Sequence, residues 1–287
     1  MFHLQRWALL RDYFLLNNIR LFIAVFLSLF LSFSSYAMSS ETSAESIGEY
    51  ANGCIKGAVE LKDGKNYQVQ RWGNSRNFGH PELIDYINKL VAKAKKAGLP
   101  DLLVGDLSRP LGGSFGSASN HGSHQIGLDV DISFDFSSPR KSQYELTHPE
   151  DVYIVDTKNR PTKFFDNNRV ALLYMAAQDP RVERIFVAPG IKRTLCQIYD
   201  GHDKSWLQKI RPWFGHRGHM HVRLGCPVDS PACVRQAKAP SGDGCGAELA
   251  SWFVPPPPST KPAKPKVKPK KIPPARCQAL FKENNYN

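Results

Sequence analysis

Several patterns that would point to familiar chemistry are missing from this chain. It has no His-Glu-x-x-His, the helical motif in which two histidines one turn apart bind zinc. It has no Cys-x-x-Cys pair, so a zinc site built from thiolates is not indicated. No internal repeat is visible, which argues against a repeat architecture. Any metal site must therefore be built from histidines and carboxylates that the fold brings together.

The chain also lacks an apolar run of comfortable membrane-spanning length, which is about 20 residues. Its most apolar stretch, residues 21–33, follows Arg6, Arg11 and Arg20 and precedes Ser35-Tyr36-Ala37. Positive charge, a short apolar run and small residues in that order are typical of a secretory signal peptide. We expect residues 1–37 to be removed after Ala37, which leaves no membrane span in the mature form. A retained anchor is the alternative.

Length and charge indicate one main domain followed by a basic tail. The chain has 287 residues, 41% of them hydrophobic, which is enough for a sizeable core. Residues 255–275 contain nine prolines and six lysines but no acidic residue, so they predict an extended polyproline-like strap. The net charge of +12 favours polyanionic partners such as an acidic wall polymer, nucleic acid or anionic lipid. The expected division is 38–254 for the domain and 255–287 for the strap and C-terminal segment.

The six cysteines agree with export. An even number of cysteines in an exported chain predicts structural disulfides. Six cysteines allow fifteen complete pairings, and the residues alone leave the choice open.

One stretch, residues 120–132, concentrates metal-binding side chains. It contains His121, His124, Asp129 and Asp131, and it changes from a glycine-containing loop into alternating apolar and acidic residues. Alternate residues of a strand face opposite sides, so the two carboxylates share the face opposite the apolar residues. Both are therefore candidate ligands, and Asp129 alternatively orients a ligand histidine from outside the metal shell.

A second stretch, residues 214–226, supplies the complementary histidines. His219 and His221 alternate with apolar residues and so face the same way, and five of the nine histidines of the chain fall in the two stretches. Catalytic zinc commonly takes three protein ligands from His, Asp or Glu. His124, Asp131 and one histidine of this pair would form that set. The alternative is that these are ordinary surface or core histidines.

The remaining pattern predicts an α+β fold. Apolar residues recur at helical spacing over 83–94, residues 170–177 indicate a buried helix, and 182–188 a strand. We expect a small central antiparallel sheet that carries the zinc site, flanked by helices and long disulfide-tied loops. Trp206, Trp213 and Phe214 lie near the second histidine stretch. They predict either core packing, which we favour, or a platform for a sugar or peptide ligand.

The motifs resemble those of a known family. His124-x6-Asp131 followed by His219-x-His221 resembles the zinc peptidases that include lysostaphin-type enzymes, D-alanyl-D-alanine peptidases and the hedgehog signalling domain. Longer strings are more specific: residues 121–132, 176–182, 211–224 and 242–249. They resemble the penicillin-insensitive murein endopeptidase family, and the similarity extends from about Cys54 to the C-terminus.

The resemblance implies roles for individual residues. It makes His124, Asp131 and His221 the zinc ligands, and His121 is close enough to join the metal. His219, two residues before the last ligand and on its face, is the first candidate for acid–base work, and His216 is the next. It also implies the disulfides Cys54–Cys277, Cys196–Cys245 and Cys226–Cys233. Members of the family can carry a further Asp and His as a peripheral metal site, where this chain has Asp156 and Asn159.

The resemblance further implies a periplasmic peptidase with zinc as cofactor and cross-linked peptidoglycan as its partner. The expected bond is the amide between D-alanine and meso-diaminopimelate, with the diaminopimelate–diaminopimelate bridge as a second possibility. We expect hydrolysis by zinc-activated water without a serine acyl-enzyme, hence insensitivity to penicillin. Nucleic acid is not an expected partner. The alternatives are an exported metal-dependent nuclease, which would fit the basic charge, and a non-catalytic wall-binding module.

Overall fold

The computed structural model describes residues 43–116, 119, 121–255 and 271–286. The predicted signal peptide and most of the proline- and lysine-rich strap lie outside these residues. The strands are β1 Glu45–Glu49, β2 Asn52–Lys56, β3 Val59–Glu60, β4 Tyr67–Val69, β5 Phe78–Gly79, β6 Leu102–Val104, β7 Asp129–Phe136, β8 Val182–Val187, β9 Ile210–Pro212 and β10 His219–Leu224. The α-helices are α1 Pro81–Lys96, α2 Gln143–Thr147, α3 Asn167–Ala177, α4 Pro189–Ile198, α5 Ala247–Ser251 and α6 Ala275–Glu283.

A six-stranded sheet organises the fold, with the order β4-β6-β7-β10-β8-β9. The four inner strands pair antiparallel, as expected, while β4 pairs parallel with β6 and β8 pairs parallel with β9. The α+β class is confirmed, and the sheet is mixed because of these two outer pairs. The parallel pairs were not predicted because strands as short as β4 and β9, with three residues each, do not indicate which strand they pair with or in which direction. The two stretches rich in histidine and aspartate form β7 and β10 at the centre.

The apolar residues of the two central strands face the helices. Val130, Ile132, Met220 and Val222 have no exposed surface and belong to the same apolar cluster as the buried faces of α1 and α3. Because strand residues alternate, the aspartates and histidines of β7 and β10 lie on the opposite face of the sheet. Packing of the apolar face against the helices thus leaves the aspartates and histidines on the other side of the sheet.

Helix α1 illustrates how local sequence sets an element. The imidazole of His80 caps its N-terminus by accepting from the amide of Glu82, and Pro81 occupies the first turn, where no amide donor is needed. Lysines fill the last turn, which suits the negative end of the helix dipole. Gly98 follows with a φ of +80°, a conformation that favours glycine. The predicted helix over 83–94 is confirmed.

Three disulfides join the periphery to this core. Cys54 on β2 is bonded to Cys277 on α6, Cys196 on α4 to Cys245, and Cys226 to Cys233. These are the pairs that the resemblance implies, and none of the six cysteines, all of them in described segments, is free. Among the described helices, none has both the length and the apolarity needed to cross a bilayer.

Candidate metal centre

The antiparallel pairing of β7 with β10 places the polar side chains of the two strands side by side. His221 lies directly opposite Asp131, and Arg223 lies opposite Asp129. Directly opposed residues in such a pair have neighbouring side chains. The register therefore gives each aspartate a different basic neighbour, although both aspartates lie on one face.

The loop before β7 brings two more histidines to the same point. His124 adopts a φ of +65°, an uncommon conformation that histidine tolerates better than most residues. Its amide donates to Asp129 Oδ2 at 3.0 Å, which holds the turn. The His124 ring lies 4.5 Å from the His221 ring and 5.1 Å from the His121 ring, measured between centroids. Three imidazoles therefore meet beside Asp131.

The donor atoms of this cluster converge on a common point. His121, His124 and Asp131 each offer one ligand atom, and these atoms all lie within 4.8 Å of one another. The Asp131 Oδ1 atom is 3.4 Å from His124 Nε2 and 3.1 Å from His221 Nδ1. Neither contact has the geometry of a hydrogen bond. Among the residues that the structure describes, both His124 nitrogens and Asp131 Oδ1 are buried without a hydrogen-bond partner.

Buried polar atoms without partners are rare in folded proteins. A cation would satisfy one His124 nitrogen and Asp131 Oδ1 together, and a set of imidazole nitrogens and one carboxylate suits a metal such as zinc. The residues present therefore fit a metal ion, and no backbone rearrangement is needed to bring them together.

Asp129 is occupied by other donors and does not join this set. Its carboxylate has no exposed surface and accepts from the Arg223 guanidinium at 2.7 and 3.3 Å. It also accepts from His221 Nε2 at 2.9 Å and from the His124 amide. With Nε2 committed to Asp129, His221 presents Nδ1 to Asp131. A carboxylate that holds the second nitrogen of a ligand histidine is the usual outer partner in metal sites.

The charge balance of the site also favours a cation. Burial works against a charged imidazole, but Asp129 and Asp131 outweigh it and raise the pKa of His221 to about 9. Burial and the neighbouring histidines lower the pKa of His121 to about 4. Burial alone would also raise the pKa of Asp131, yet His124 and His219 bring it well below its ordinary value. The two buried carboxylates thus attract one positive charge, which a metal ion can supply in place of the proton.

Asp106, which no sequence pattern indicates as a site residue, lies on the far side of His121. Its side chain is 1% exposed, and Oδ2 is 3.4 Å from His121 Nε2 and 3.3 Å from Arg76 Nη1. The Asp131 amide donates to the Asp106 carbonyl at 2.9 Å, which ties the two backbones together. Burial and the Asp131 charge raise the pKa of Asp106. A single aspartate in a loop carries no sequence signal for such a position.

The two predicted acid–base histidines lie at the open side of the cluster. His219 Nε2 is 3.8 Å from Asp131 Oδ2, and the His219 side chain is 25% exposed. The His216 ring is 5.1 Å from the His219 ring and 5.8 Å from the His221 ring. His216 Nδ1 donates to the Phe214 carbonyl at 2.6 Å, which leaves Nε2 available. Burial first, and then His219 and His221, lower the pKa of His216 to about 3.

The aromatic residues before β10 divide between core and surface. Trp206 is 5% exposed, as core packing predicts. Trp213 and Phe214 are 53% and 74% exposed, so the preference for core packing was wrong for these two. They lie on the loop between β9 and β10, where the apolar face of the sheet is already covered. An apolar residue in an isolated loop carries no periodicity from which its exposure could be inferred.

The peripheral metal site is not formed by the residues considered for it. Asp156 accepts from the Arg160 guanidinium at 2.8 Å and from the amides of Lys158 and Arg160. The Asn159 side chain accepts from the Gly190 amide at 3.1 Å. Both groups are therefore committed to local structure. Within the described residues, the His121, His124 and Asp131 group is the one candidate metal cluster.

A serine mechanism finds no support at the one position where its motif occurs. Ser-x-x-Lys is present once, from Ser138 to Lys141. Ser138 is exposed, and Lys141 Nζ is paired with Asp135 at 2.9 Å. A lysine committed to a carboxylate in this way does not serve a serine as base.

A mixed sheet with a largely buried His/His/Asp cluster at its centre defines an α+β protein with a candidate metal centre. The model of the penicillin-insensitive murein endopeptidase family matches residues 46–282. The penicillin-insensitive murein endopeptidase of Yersinia pestis bv. Antiqua is 48% identical over 247 residues, covering 85% of this chain and 87% of the relative. That of Haemophilus influenzae is 46% identical over 250 residues, covering 86% of each chain. The chain therefore belongs to the penicillin-insensitive murein endopeptidase family, and it is a peptidase.

Proposed function

We propose that this protein is a zinc-dependent murein endopeptidase of the periplasm. Its substrate is the D-alanyl–meso-diaminopimelyl amide that cross-links the stem peptides of peptidoglycan. The single observation that carries the proposal is the convergence of His121, His124, Asp131 and His221 at the centre of a sheet in a member of this family. The partly exposed histidines His216 and His219 beside that point support catalysis over a non-catalytic wall-binding module. No specific observation favours a nuclease.

The ligand roles follow from which atoms are already engaged. His124, Asp131 and His221 would hold zinc, and His121 would join them from its partly exposed position. Zinc bound in this way polarises a carbonyl as a Lewis acid and makes water acidic enough to react near neutral pH. Asp129 fixes His221 in the tautomer that presents Nδ1 to the site.

His219 and His216, at the open side of the cluster, are the candidates for proton transfer. Amide hydrolysis needs a base for the attacking water and a donor for the leaving amine. His219 lies next to Asp131 and is partly exposed, which supports a role in exchanging a proton with a substrate that lies over the cluster. His216 has Nε2 free and lies one ring away, so it is the second candidate. A serine nucleophile is not required, which is consistent with activity in the presence of penicillin.

Location and cofactor are inferred from independent features. The predicted signal peptide and three disulfides agree with an oxidising compartment such as the periplasm. Two kinds of donor, imidazole and carboxylate, suit zinc better than magnesium or calcium, which prefer oxygen ligands. The division into signal peptide, catalytic domain and strap at residues 37 and 254 completes the proposal.

Digestion of purified peptidoglycan tests this function. We expect cross-linked muropeptide dimers to become monomers while the glycan strands stay uncut, and we expect no cleavage of DNA supplied in parallel. His219→Ala, loaded with zinc, is the matched negative control because its metal ligands are intact. Binding to peptidoglycan without release of monomers would support the wall-binding module instead, and cleavage of DNA would support the nuclease.

A further inference from the structure

Three aromatic side chains form an exposed surface next to the candidate active site. Trp213, Phe214 and Trp252, here called the aromatic platform, contact one another with ring centroids 6.1 Å apart for Trp213–Trp252 and 4.9 Å for Phe214–Trp252. The Trp252 plane is tilted by 58° to each of the other two rings. Trp213 and Phe214 are more than half exposed. Large aromatic side chains have a large apolar area, and an exposed cluster of them indicates a binding surface.

The platform is continuous with the catalytic histidines. The Phe214 carbonyl accepts the hydrogen bond of His216 Nδ1, so one loop carries both groups. The Phe186 ring lies between Trp213 and His221, with centroid separations of 5.9 and 5.4 Å. One substrate molecule could therefore contact the platform and the proposed metal site at the same time.

Two charged groups packed on this part of the chain are engaged by neighbouring groups. Arg193 stacks on Phe253 at 4.1 Å and donates to the Asn159 carbonyl at 2.9 Å. Glu248, on the helix before Trp252, is paired with Arg211. The three side chains of the platform are themselves uncharged. The stem peptides of murein carry free carboxylates, whereas its sugar rings are uncharged over most of their area and have flat faces of C–H groups that stack on aromatic rings.

We propose that the aromatic platform is a subsite for the glycan of the murein substrate, which holds the sugar to which the cleaved stem peptide is attached. Four residues of stem reach about 13 Å when extended, which covers the two ring steps from His221 to Trp213. The inference rests on the proposed function, because it assigns part of the same substrate to a neighbouring surface. It makes glycan-linked dimers better substrates than bare peptide dimers.

The test compares one cross-linked dimer in two forms, with its disaccharides and after their enzymatic removal. Trp213→Ala and Phe214→Ala should each lower kcat/KM for the glycan-bearing dimer by about 3- to 10-fold and leave the bare peptide dimer unchanged. Trp213→Phe keeps a ring and should retain most of the preference. Tyr144→Ala, which removes a ring that is 71% exposed on α2, is the matched control and should change neither value.

Each other outcome has a defined meaning. Equal losses on both dimers, or no loss on either, would overturn the glycan subsite. If the protein itself is dimeric and Trp213→Ala makes it monomeric without changing its substrate preference, the platform binds a second copy of the chain and not the glycan. If wild-type protein cleaves neither dimer, the proposed function fails. The subsite is then judged by quenching of tryptophan fluorescence with the free disaccharide, which Trp213→Ala should abolish.

A second inference concerns Asp106 and rests on a different observation. On one side of the site, Arg223 and Asp129 hold His221 through Nε2, and His221 Nδ1 faces Asp131. On the other side, Arg76 and Asp106 lie at His121 Nε2, and His121 Nδ1 faces Asp131 at 3.6 Å. Both arrangements therefore place a buried carboxylate with an arginine behind a histidine.

We infer that Asp106 is a positioning residue that orients His121 toward the metal. Arg71 Nε lies 3.8 Å from Oδ1 and Arg76 Nη1 lies 3.3 Å from Oδ2, so two arginines hold the buried carboxylate with Oδ2 3.4 Å from His121 Nε2. A carboxylate placed in this way fixes the ring orientation of a ligand histidine and increases its basicity. Like the ligand roles, this inference rests on the proposed metal site.

A double-mutant cycle on zinc affinity tests this role. Asp106→Asn should weaken zinc binding by about 10- to 100-fold, and this loss should disappear in a His121→Ala background because the two residues act as a unit. Asp135→Asn is the control. It breaks an ion pair near the end of β7 and should leave zinc affinity unchanged. Equal losses in both backgrounds, or a lower melting temperature with unchanged affinity, would overturn the inference. Absence of zinc binding by the wild type would instead refute the proposed cofactor.

Discussion

Replacing Asp129 by asparagine separates an outer carboxylate from a metal ligand. Asparagine has the same shape but carries no charge, and one of its two oxygen positions becomes an NH₂ donor. That donor would face Arg223 or the His124 amide, both of which are donors themselves. The substitution therefore removes the counter-charge of a buried guanidinium and weakens the hold on His221 Nε2, while leaving Asp131 in place.

Two separate magnitudes follow from these contacts. Loss of an outer partner of a ligand histidine reduces metal affinity by about 10- to 100-fold, which is about 1.4–2.8 kcal/mol. Neutralising one member of a buried ion pair costs about 3 kcal/mol of folding free energy, because Arg223 keeps its charge and only 8% of its side chain is exposed. Asp131→Asn differs in kind, since it removes the charge and one oxygen of the proposed ligand carboxylate and should abolish tight binding.

Two measurements give these quantities. Competition with a chromophoric chelator gives the zinc affinity, and urea unfolding of the metal-free protein gives the folding free energy. We expect Asp129→Asn to bind zinc weakly but measurably and to unfold at lower urea, and Asp131→Asn to lose zinc almost completely. If the two variants lose zinc equally, Asp129 is a ligand and the outer role is wrong. Unchanged zinc affinity in Asp129→Asn would refute the argument from His221 orientation.

Three further predictions concern the metal, the disulfides and the substrate bond. His221→Ala should lose both zinc and activity, whereas His219→Ala should lose activity while keeping most of its zinc; metal analysis showing both equally empty would contradict the division between ligand and base. Alkylation and mass measurement of native protein should find no free thiol, and Cys54→Ser with Cys277→Ser should lower the free energy of unfolding by about 2–5 kcal/mol, because a link across 223 residues is lost. Conversion of muropeptide dimers to monomers should proceed equally with and without penicillin, and inhibition at stoichiometric penicillin would indicate a serine acyl-enzyme.

The elements with strong periodicity could be predicted from the sequence. Residues 83–94 show helical spacing with a proline start and a glycine stop, and they form α1. The alternation around Asp129 and Asp131 predicts a strand with its carboxylates on one face, which β7 has. The strand-like residues 67–72 contain the outer strand β4. The other outer strand, β9, could not be predicted, since its three residues, Ile210–Pro212, contain too little pattern.

The site could be predicted only as far as its histidines cluster in sequence. His121, His124, His219 and His221 stand in two short segments, and the structure brings them together. Asp106 could not be found, because it comes from a loop that precedes the site and reaches it through the pairing of β6 with β7. The exposure of Trp213 and Phe214 was also beyond sequence reasoning, since it depends on which face of the sheet the helices cover.

The choice between the two aspartates shows which information the fold adds. Alternation places Asp129 and Asp131 on one face, and it places His219, His221 and Arg223 on one face of β10, so each strand alone leaves the choice open. The antiparallel register decides it by setting Arg223 against Asp129 and His221 against Asp131. A shift of two residues would keep every side chain on the same face, yet it would set Arg223 against Asp131 and give the metal-facing carboxylate to a guanidinium. The register of β7 and β10, and not the ligand residues themselves, is therefore what keeps Asp131 available to a metal.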